Sequence, residues 1–149
     1  MEEVALKSVR QVLNAKGYAV ETVAPESSVY EALQKMANHE IGALIVVEQG
    51  EICGLFSERD YARKVVLQGK QSKEIPVQEI MTRRVITLEP EQTVEAAMVV
   101  MSDKHVRHLP VVEEGRLIGL VSIGDIVQAV IEAQRLTIEE LETYITSGR

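Results

Sequence analysis

Hydrophobic and polar positions in this chain follow first a strand-like and then a helix-like period, and the whole sequence of patterns occurs twice. Ala19–Val23 is a short apolar run that reads as a strand, stopped by Pro25, whose ring lacks an N–H and suits a turn or a helix start. Val29, Leu33 and Met36 then recur at the 3.6-residue spacing of a helix running through Asn38, with Ser28 and Glu31 spaced as a capping box. Leu44–Val47 and Ile52–Phe56 are short apolar runs on either side of Glu48-Gln49-Gly50, which predicts a β-hairpin. Ser57 stands where an N-cap belongs and opens a helix over Glu58–Leu67.

The same order returns 65 positions later. Without a gap, Val20–Val66 overlays Val85–Ile131, pairing Thr22 with Thr87, Pro25 with Pro90, Val29 with Val94, Ala32 with Ala97 and Met36 with Met101. Val46-Val47-Glu48 meets Val111-Val112-Glu113, Gly54-Leu55 meets Gly119-Leu120, Ser57 meets Ser122 and Asp60 meets Asp125. The second copy therefore predicts a strand at Val85–Leu88, a helix over Thr93–Lys104, a hairpin from Leu109–Val112 and Leu117–Val121, and a helix over Ile123–Arg135. A β-α-β-β-α unit of this size is too small to bury its own sheet face, so two copies should pack together as a pseudo-twofold α+β pair.

The remaining segments also read as helical. They are Glu2–Ala15, Pro76–Met81 and Thr137–Ile145, the last with Thr137 and Glu140 spaced as a second capping box. Val9-Arg10-Gln11-Val12-Leu13 resembles Val77-Gln78-Glu79-Ile80-Met81, and Gln68–Ile75 reads as a polar linker. The expected division is 1–19, an N-terminal helix; 20–67, the first copy; 68–84, the linker; 85–135, the second copy; and 136–149, a C-terminal helix.

Composition narrows the function. The longest apolar run, Ile41 to Val47, is far below the roughly 20 residues needed to cross a bilayer, and Met1 to Gly17 carries acids and bases at helical spacing, unlike a secretory signal. A cytoplasmic setting is expected. A net charge of −7 and few aromatics disfavour nucleic acid, whose binding rests on Lys and Arg neutralising phosphates and on base stacking. The single cysteine, Cys53, excludes an internal disulfide and reads as a packed thiol. His105 and His108 are spaced to share a helix face, but with no cysteine pair or nearby acid the set is incomplete for zinc. No nucleophile elbow or P-loop occurs, so the chain reads as a non-enzyme.

The pattern richest in chemistry is Gly54-Leu55-Phe56-Ser57-Glu58-Arg59-Asp60 and its partner Gly119-Leu120-Val121-Ser122-Ile123-Gly124-Asp125. It sets a hydroxyl and free backbone N–H groups at a helix start, where an anion is favoured, and a carboxylate one turn in that could accept two ribose hydroxyls. Equally, serine and aspartate could do no more than cap the helix.

This repeat, with Gly-x-x-Ser-x-x-Asp after each hairpin, resembles the cystathionine-β-synthase (CBS) domain, here a tandem pair or Bateman module. Ile41-Gly42-Ala43-Leu44, Ser57-Glu58-Arg59-Asp60-Tyr61, Glu79-Ile80-Met81-Thr82, Arg107-His108-Leu109-Pro110-Val111 and Val121-Ser122-Ile123-Gly124-Asp125 are similar to stand-alone bacterial CBS pairs and to a plant organellar relative. The resemblance implies a regulatory sensor that binds AMP, ADP, ATP or NAD(H) in clefts between paired domains, forms a homodimer and signals to a regulated partner protein. By position, it implies that Asp60 and Asp125 hold ribose hydroxyls, Ser57 and Ser122 lie near phosphate, and Thr22 and Thr87 line the clefts. Backbone around Ile41, Gly42, Ala43 and Leu44, and from Val106 to Pro110, would meet adenine and sugar, with Arg59, Arg107 and His108 as phosphate cations. Gly124 stands opposite Arg59, and Gly42-Ala43 opposite Arg107-His108, so the two sites should differ. The alternative is a constitutive dimerisation scaffold with empty clefts.

Overall fold

The computed structural model describes residues 7–147, which form two compact units. One is Ala19–Ile86; the other joins the segment ending at Tyr18 to the chain from Thr87 onward. The expected helix at the start is α1, Val9–Lys16, capped by Ser8, whose hydroxyl accepts the Gln11 N–H while Gln11 returns a bond to the Ser8 N–H. Glu2 to Leu6 lie outside the described residues.

The unit of Ala19–Ile86 contains β1 (Thr22–Val23), α2 (Val29–His39), β2 (Ala43–Glu48), β3 (Glu51–Ser57) and α3 (Glu58–Tyr61). Strand β1 runs parallel to β2, and β2 antiparallel to β3. Gln49 and Gly50 both have positive φ (52° and 80°), the two-residue turn whose twist matches a hairpin. Pairing passes from Val46↔Gly54 to Val47↔Ile52, so Cys53 is the extra residue of a β-bulge. Burial raises the pKa of its thiol, as befits a packed cysteine. Leu44, Val46 and Phe56 meet Val29, Ala32 and Met36 of α2 and Val77, Ile80 and Met81 in one core. Ala43 and Ile45, on the other face of β2, are equally buried, which explains the unbroken apolar run.

Three elements here differ from expectation. The helix Glu58–Leu67 keeps α-geometry only to Tyr61 and widens into a π-turn over Ala62–Val66. Pro76–Met81 forms a single 3-10 turn at Val77–Glu79. The strand Ala19–Val23 contracts to its last two residues.

The second unit repeats the arrangement with α4 (Val94–Lys104, capped by Thr93), β4 (His108–Glu113), β5 (Arg116–Ser122) and α5 (Ile123–Ser147). The strand expected at Val85–Leu88 reduces to one parallel bridge, in which Leu88 N–H donates to Pro110 O at 2.8 Å and Val112 N–H to Leu88 O at 2.9 Å. Extending it to Ile86 would require an N–H from Pro110, which proline lacks; Ile45 holds that place in the first copy. The separate helix expected at Thr137–Ile145 is the continuation of α5. No Gly or Pro interrupts Gln134–Leu136, and the Thr137 hydroxyl donates to Ala133 O at 3.0 Å instead of capping a new start.

Helix α1 precedes the first copy in sequence but packs in the unit of the second. Leu13, fully buried, lies over Gly119 of β5 so closely that a Cβ there would stand 2.6 Å from its Cδ2. Gly54 of β3 is covered in the same way by Met81. Leu13 and Met81 are the residues that the internal resemblance of the two segments aligns. Arg10 fastens α1 further, pairing with Glu91 at 2.7 Å and with Glu113.

Candidate functional site

In each unit the serine, the aspartate and the loop before the hairpin meet at one corner, where the hairpin's last strand turns into a helix. In the first copy, Ala43 pairs with Ser57 across β2 and β3, and Glu58 N–H donates to Gly42 O at 3.0 Å, clamping the loop before β2 onto the helix start. Ile41 is held from the other side, its N–H donating to Met36 O at the end of α2. Leu44 points into the core. In the second copy His108 pairs with Ser122, Ile123 N–H donates to Arg107 O at 2.8 Å, and Val106 N–H to Met101 O at 3.1 Å.

At each corner the serine and aspartate cap the helix reciprocally. Ser57 N–H and Oγ–H donate to Asp60 Oδ2 at 3.0 and 3.1 Å, and Asp60 N–H donates to Ser57 Oγ at 3.2 Å. Ser122 N–H donates to Asp125 Oδ2 at 2.8 Å and Asp125 N–H to Ser122 Oγ at 3.1 Å. The expectation of a row of free N–H groups is therefore corrected: the cap residue, the first helical residue and the aspartate each spend theirs inside the corner. Capping takes one carboxylate oxygen and leaves the other for further bonds.

What reaches each carboxylate next separates the copies. Asp60, at 8% exposure, is the one charged side chain buried among the described residues. Its Oδ1 receives Lys64 Nζ at 3.0 Å and the Thr82 hydroxyl at 3.3 Å, so all four of its lone-pair positions are engaged. Asp125 is half-buried and receives Lys16 Nζ on Oδ2 at 2.6 Å. Burial alone would raise its pKa, but hydrogen bonds from Lys16 and Ser122 outweigh it, and the carboxyl sits below its ordinary range. The two lysines are not repeat equivalents. Lys64 lies one turn along its own helix, whereas Lys16 comes from the last turn of α1 and also donates to Leu120 O at 2.7 Å.

Lys64, four residues after Asp60, has the local spacing of a helical ion pair but no counterpart in the second copy, and Lys16 carries no local signal. Lys64 sits opposite Ala129, and Lys16 and Asp125 are 109 positions apart, so only the docking of α1 on β5 brings them together. His108 lies in the same cluster, its pKa lowered first by burial and then by Lys16 and Arg107, with Asp125 opposing. Arg107 and Arg59 are exposed beside their corners. His105 is the left-handed cap that ends α4 and His108 opens β4, so the two do not share a helix face.

The threonines are less tightly tied to the corners. Thr22 is half-buried in register with Ile45, and its carbonyl accepts Lys35 Nζ at 2.5 Å. Thr87 is exposed in a depression with Glu89, Glu91, Glu113 and Glu114, acids that would repel phosphate. Pro110 O is occupied by the Leu88 N–H.

The chain resembles known proteins along most of its length. A family model described as the CBS domain matches residues 9–67 and 77–132. Over 159 aligned residues the chain is 39% identical to the mitochondrial CBS domain-containing protein CBSX3 of Arabidopsis thaliana, covering 99% of this chain and 77% of that one. A CBS-domain containing protein from Agrobacterium tumefaciens superposes with a TM-score of 0.79 at 39% identity, over 83% of this chain and 98% of that one. The CBS domain pair of protein MJ0100, solved in complex with 5′-methylthioadenosine and S-adenosyl-L-methionine, gives a TM-score of 0.74 at 28% identity over 83% and 95%. With two matched segments spanning most of its length, each ending in its own Ser-x-x-Asp corner, the chain belongs to the CBS domain family as a tandem pair.

Proposed function

We propose that this CBS pair is a regulatory module that binds adenosyl ligands, AMP, ADP, ATP or NAD(H), at its Ser-x-x-Asp corners and passes ligand state to a partner protein. The observation that carries this reading is the hydrogen-bonded clamp in each unit, Glu58 N–H to Gly42 O and Ile123 N–H to Arg107 O, which gathers carboxylate, hydroxyl and pre-strand loop into one rigid corner. A similar CBS pair crystallised with two adenosyl compounds supports the ligand class. Asp60 and Asp125 are assigned to ribose hydroxyls, Ser57 and Ser122 to the phosphate side, the backbone of 41–44 and 106–110 to adenine and sugar, and Arg59, Arg107 and His108 to phosphate charge. Thr22 and Thr87 complete the set. A signal requires that the ligand bind one arrangement of the protein more tightly than another.

A homodimer, in a cytoplasmic setting, is part of the same reading. Ile138, Leu141, Tyr144 and Ile145 are all more than half exposed along the far end of α5, an apolar surface that a second copy would cover. No helix among the described residues is long and apolar enough to cross a membrane. The scaffold alternative draws on Asp60, whose lone pairs are already engaged, so that the first-copy corner is complete without a ligand.

A thermal-shift screen with AMP, ADP, ATP, NAD(H), S-adenosyl-L-methionine and 5′-methylthioadenosine tests the proposal. A true ligand at a hundred times its Kd stabilises the fold by about 2.7 kcal/mol, a rise of roughly 5–10 °C for a chain of this size. If no adenosyl compound moves the melting temperature while the dimer persists, the scaffold reading stands instead.

A further inference from the structure

Lys16 is bonded to the carboxylate that the proposed function assigns to ribose. Its ammonium bridges Asp125 Oδ2 at 2.6 Å and Leu120 O at 2.7 Å, and the pair lines an open groove of about 220 Å³ between α1 and α5, within reach of solvent. Ser122 N–H and the ammonium share Oδ2, so a ribose whose two hydroxyls span both oxygens of Asp125 competes with this ammonium. A displaced Lys16 keeps only a neutral carbonyl as its protein partner and loses the charge-assisted bond to Asp125.

What restores the balance depends on the ligand's charge. A phosphate supplies a new anionic acceptor for Lys16, with Arg107 and His108 on the same side of the corner. A neutral nucleoside supplies none. A sulfonium ligand adds a second cation where one is already stranded. The other charges on the groove, Lys7 and Glu132, are paired with each other at 3.3 Å and leave the preference to Lys16. The first-copy corner is built otherwise: Lys64 reaches Asp60 from its own helix, and Gly42-Ala43 replace Arg107-His108.

Resting on the adenosyl-binding reading, we infer that Lys16 is a specificity residue, a displaceable internal counter-ion that makes the second-copy corner select phosphorylated adenosyl ligands over neutral or cationic ones. Calorimetric titration of AMP and of adenosine into the wild type, Lys16→Gln, Lys16→Arg and Lys7→Gln tests it. The wild type prefers AMP. Lys16→Gln weakens AMP on the order of tenfold and leaves adenosine unchanged or tighter, because a charge-assisted bond is lost while Asp125 is freed. Lys16→Arg keeps the preference, and Lys7→Gln, which removes an equal charge from the same groove, leaves it intact. An AMP-to-adenosine ratio in Lys16→Gln equal to that of the wild type overturns the inference while the adenosyl reading survives; a wild type that binds neither compound overturns both. Leu13 and Arg10 still dock α1 in these variants, and circular dichroism checks that the fold is retained.

Discussion

Replacing Gly119 by alanine tests the docking of α1 on the second copy. Its backbone is extended, so alanine itself is not strained there, and restricting the unfolded chain returns somewhat less than about 1 kcal/mol. The new methyl carbon, however, would stand 2.6 and 2.8 Å from the two terminal carbons of Leu13, which is fully buried and has nowhere to retreat. Overpacking of this kind costs about 1–3 kcal/mol, so a net loss of about 1–2 kcal/mol is expected. Leu13→Ala alone opens a cavity and costs about 2–5 kcal/mol. In the double variant the added methyl fills part of the vacated space, and the loss should fall short of the sum by about 1–2 kcal/mol. Urea unfolding followed by far-UV circular dichroism gives the energies. Hydrogen exchange at the α1 amides localises them, since two units need not unfold together. A Gly119→Ala protein as stable as the wild type, or strictly additive losses in the double variant, would refute the packing. Gly54→Ala should cost less, because the side chain it meets is Met81, whose three rotatable bonds let it move aside.

Two further outcomes follow from the corners. His108 has a lowered pKa in the fold, so between that value and the unfolded value near 6.5 the unfolded chain binds more protons and stability falls as pH drops; His108→Gln should flatten the urea midpoint between pH 7 and 5.5. Ser122→Ala removes the acceptor of the Asp125 N–H and should cost about 1 kcal/mol in the same assay, whereas Ser122→Thr, which retains a hydroxyl, should recover most of it.

The hairpins and their flanking helices were legible because their signals are local. Leu44 and Val46 mark one face of β2, and Ser28, Ser57 and Thr93 stand at helix starts, where a short polar side chain has a defined partner three residues on. The turns were legible too, although Gln49 and Glu114 take positive φ without being glycine. What the sequence hid were relations between distant residues. Val9–Leu13 and Val77–Met81 look alike because both lie over a strand glycine, but nothing local says that α1 belongs with Gly119 and not with Gly54, and the family match itself groups residues 9–67 together. Lys16 was invisible for the same reason. The continuity of α5 was missed because Thr137 fits two roles, and only its bond to Ala133 O decides between them.

Binding of AMP by isothermal titration calorimetry, with the wild type beside an Asp60→Asn/Asp125→Asn double variant, tests the central claim most directly. Asparagine keeps an oxygen to cap each helix but cannot match a carboxylate as acceptor for ribose hydroxyls. The account predicts saturable binding by the wild type and its loss in a folded double variant. Wild-type protein that gives no binding heat, or a double variant that binds as tightly, would contradict it.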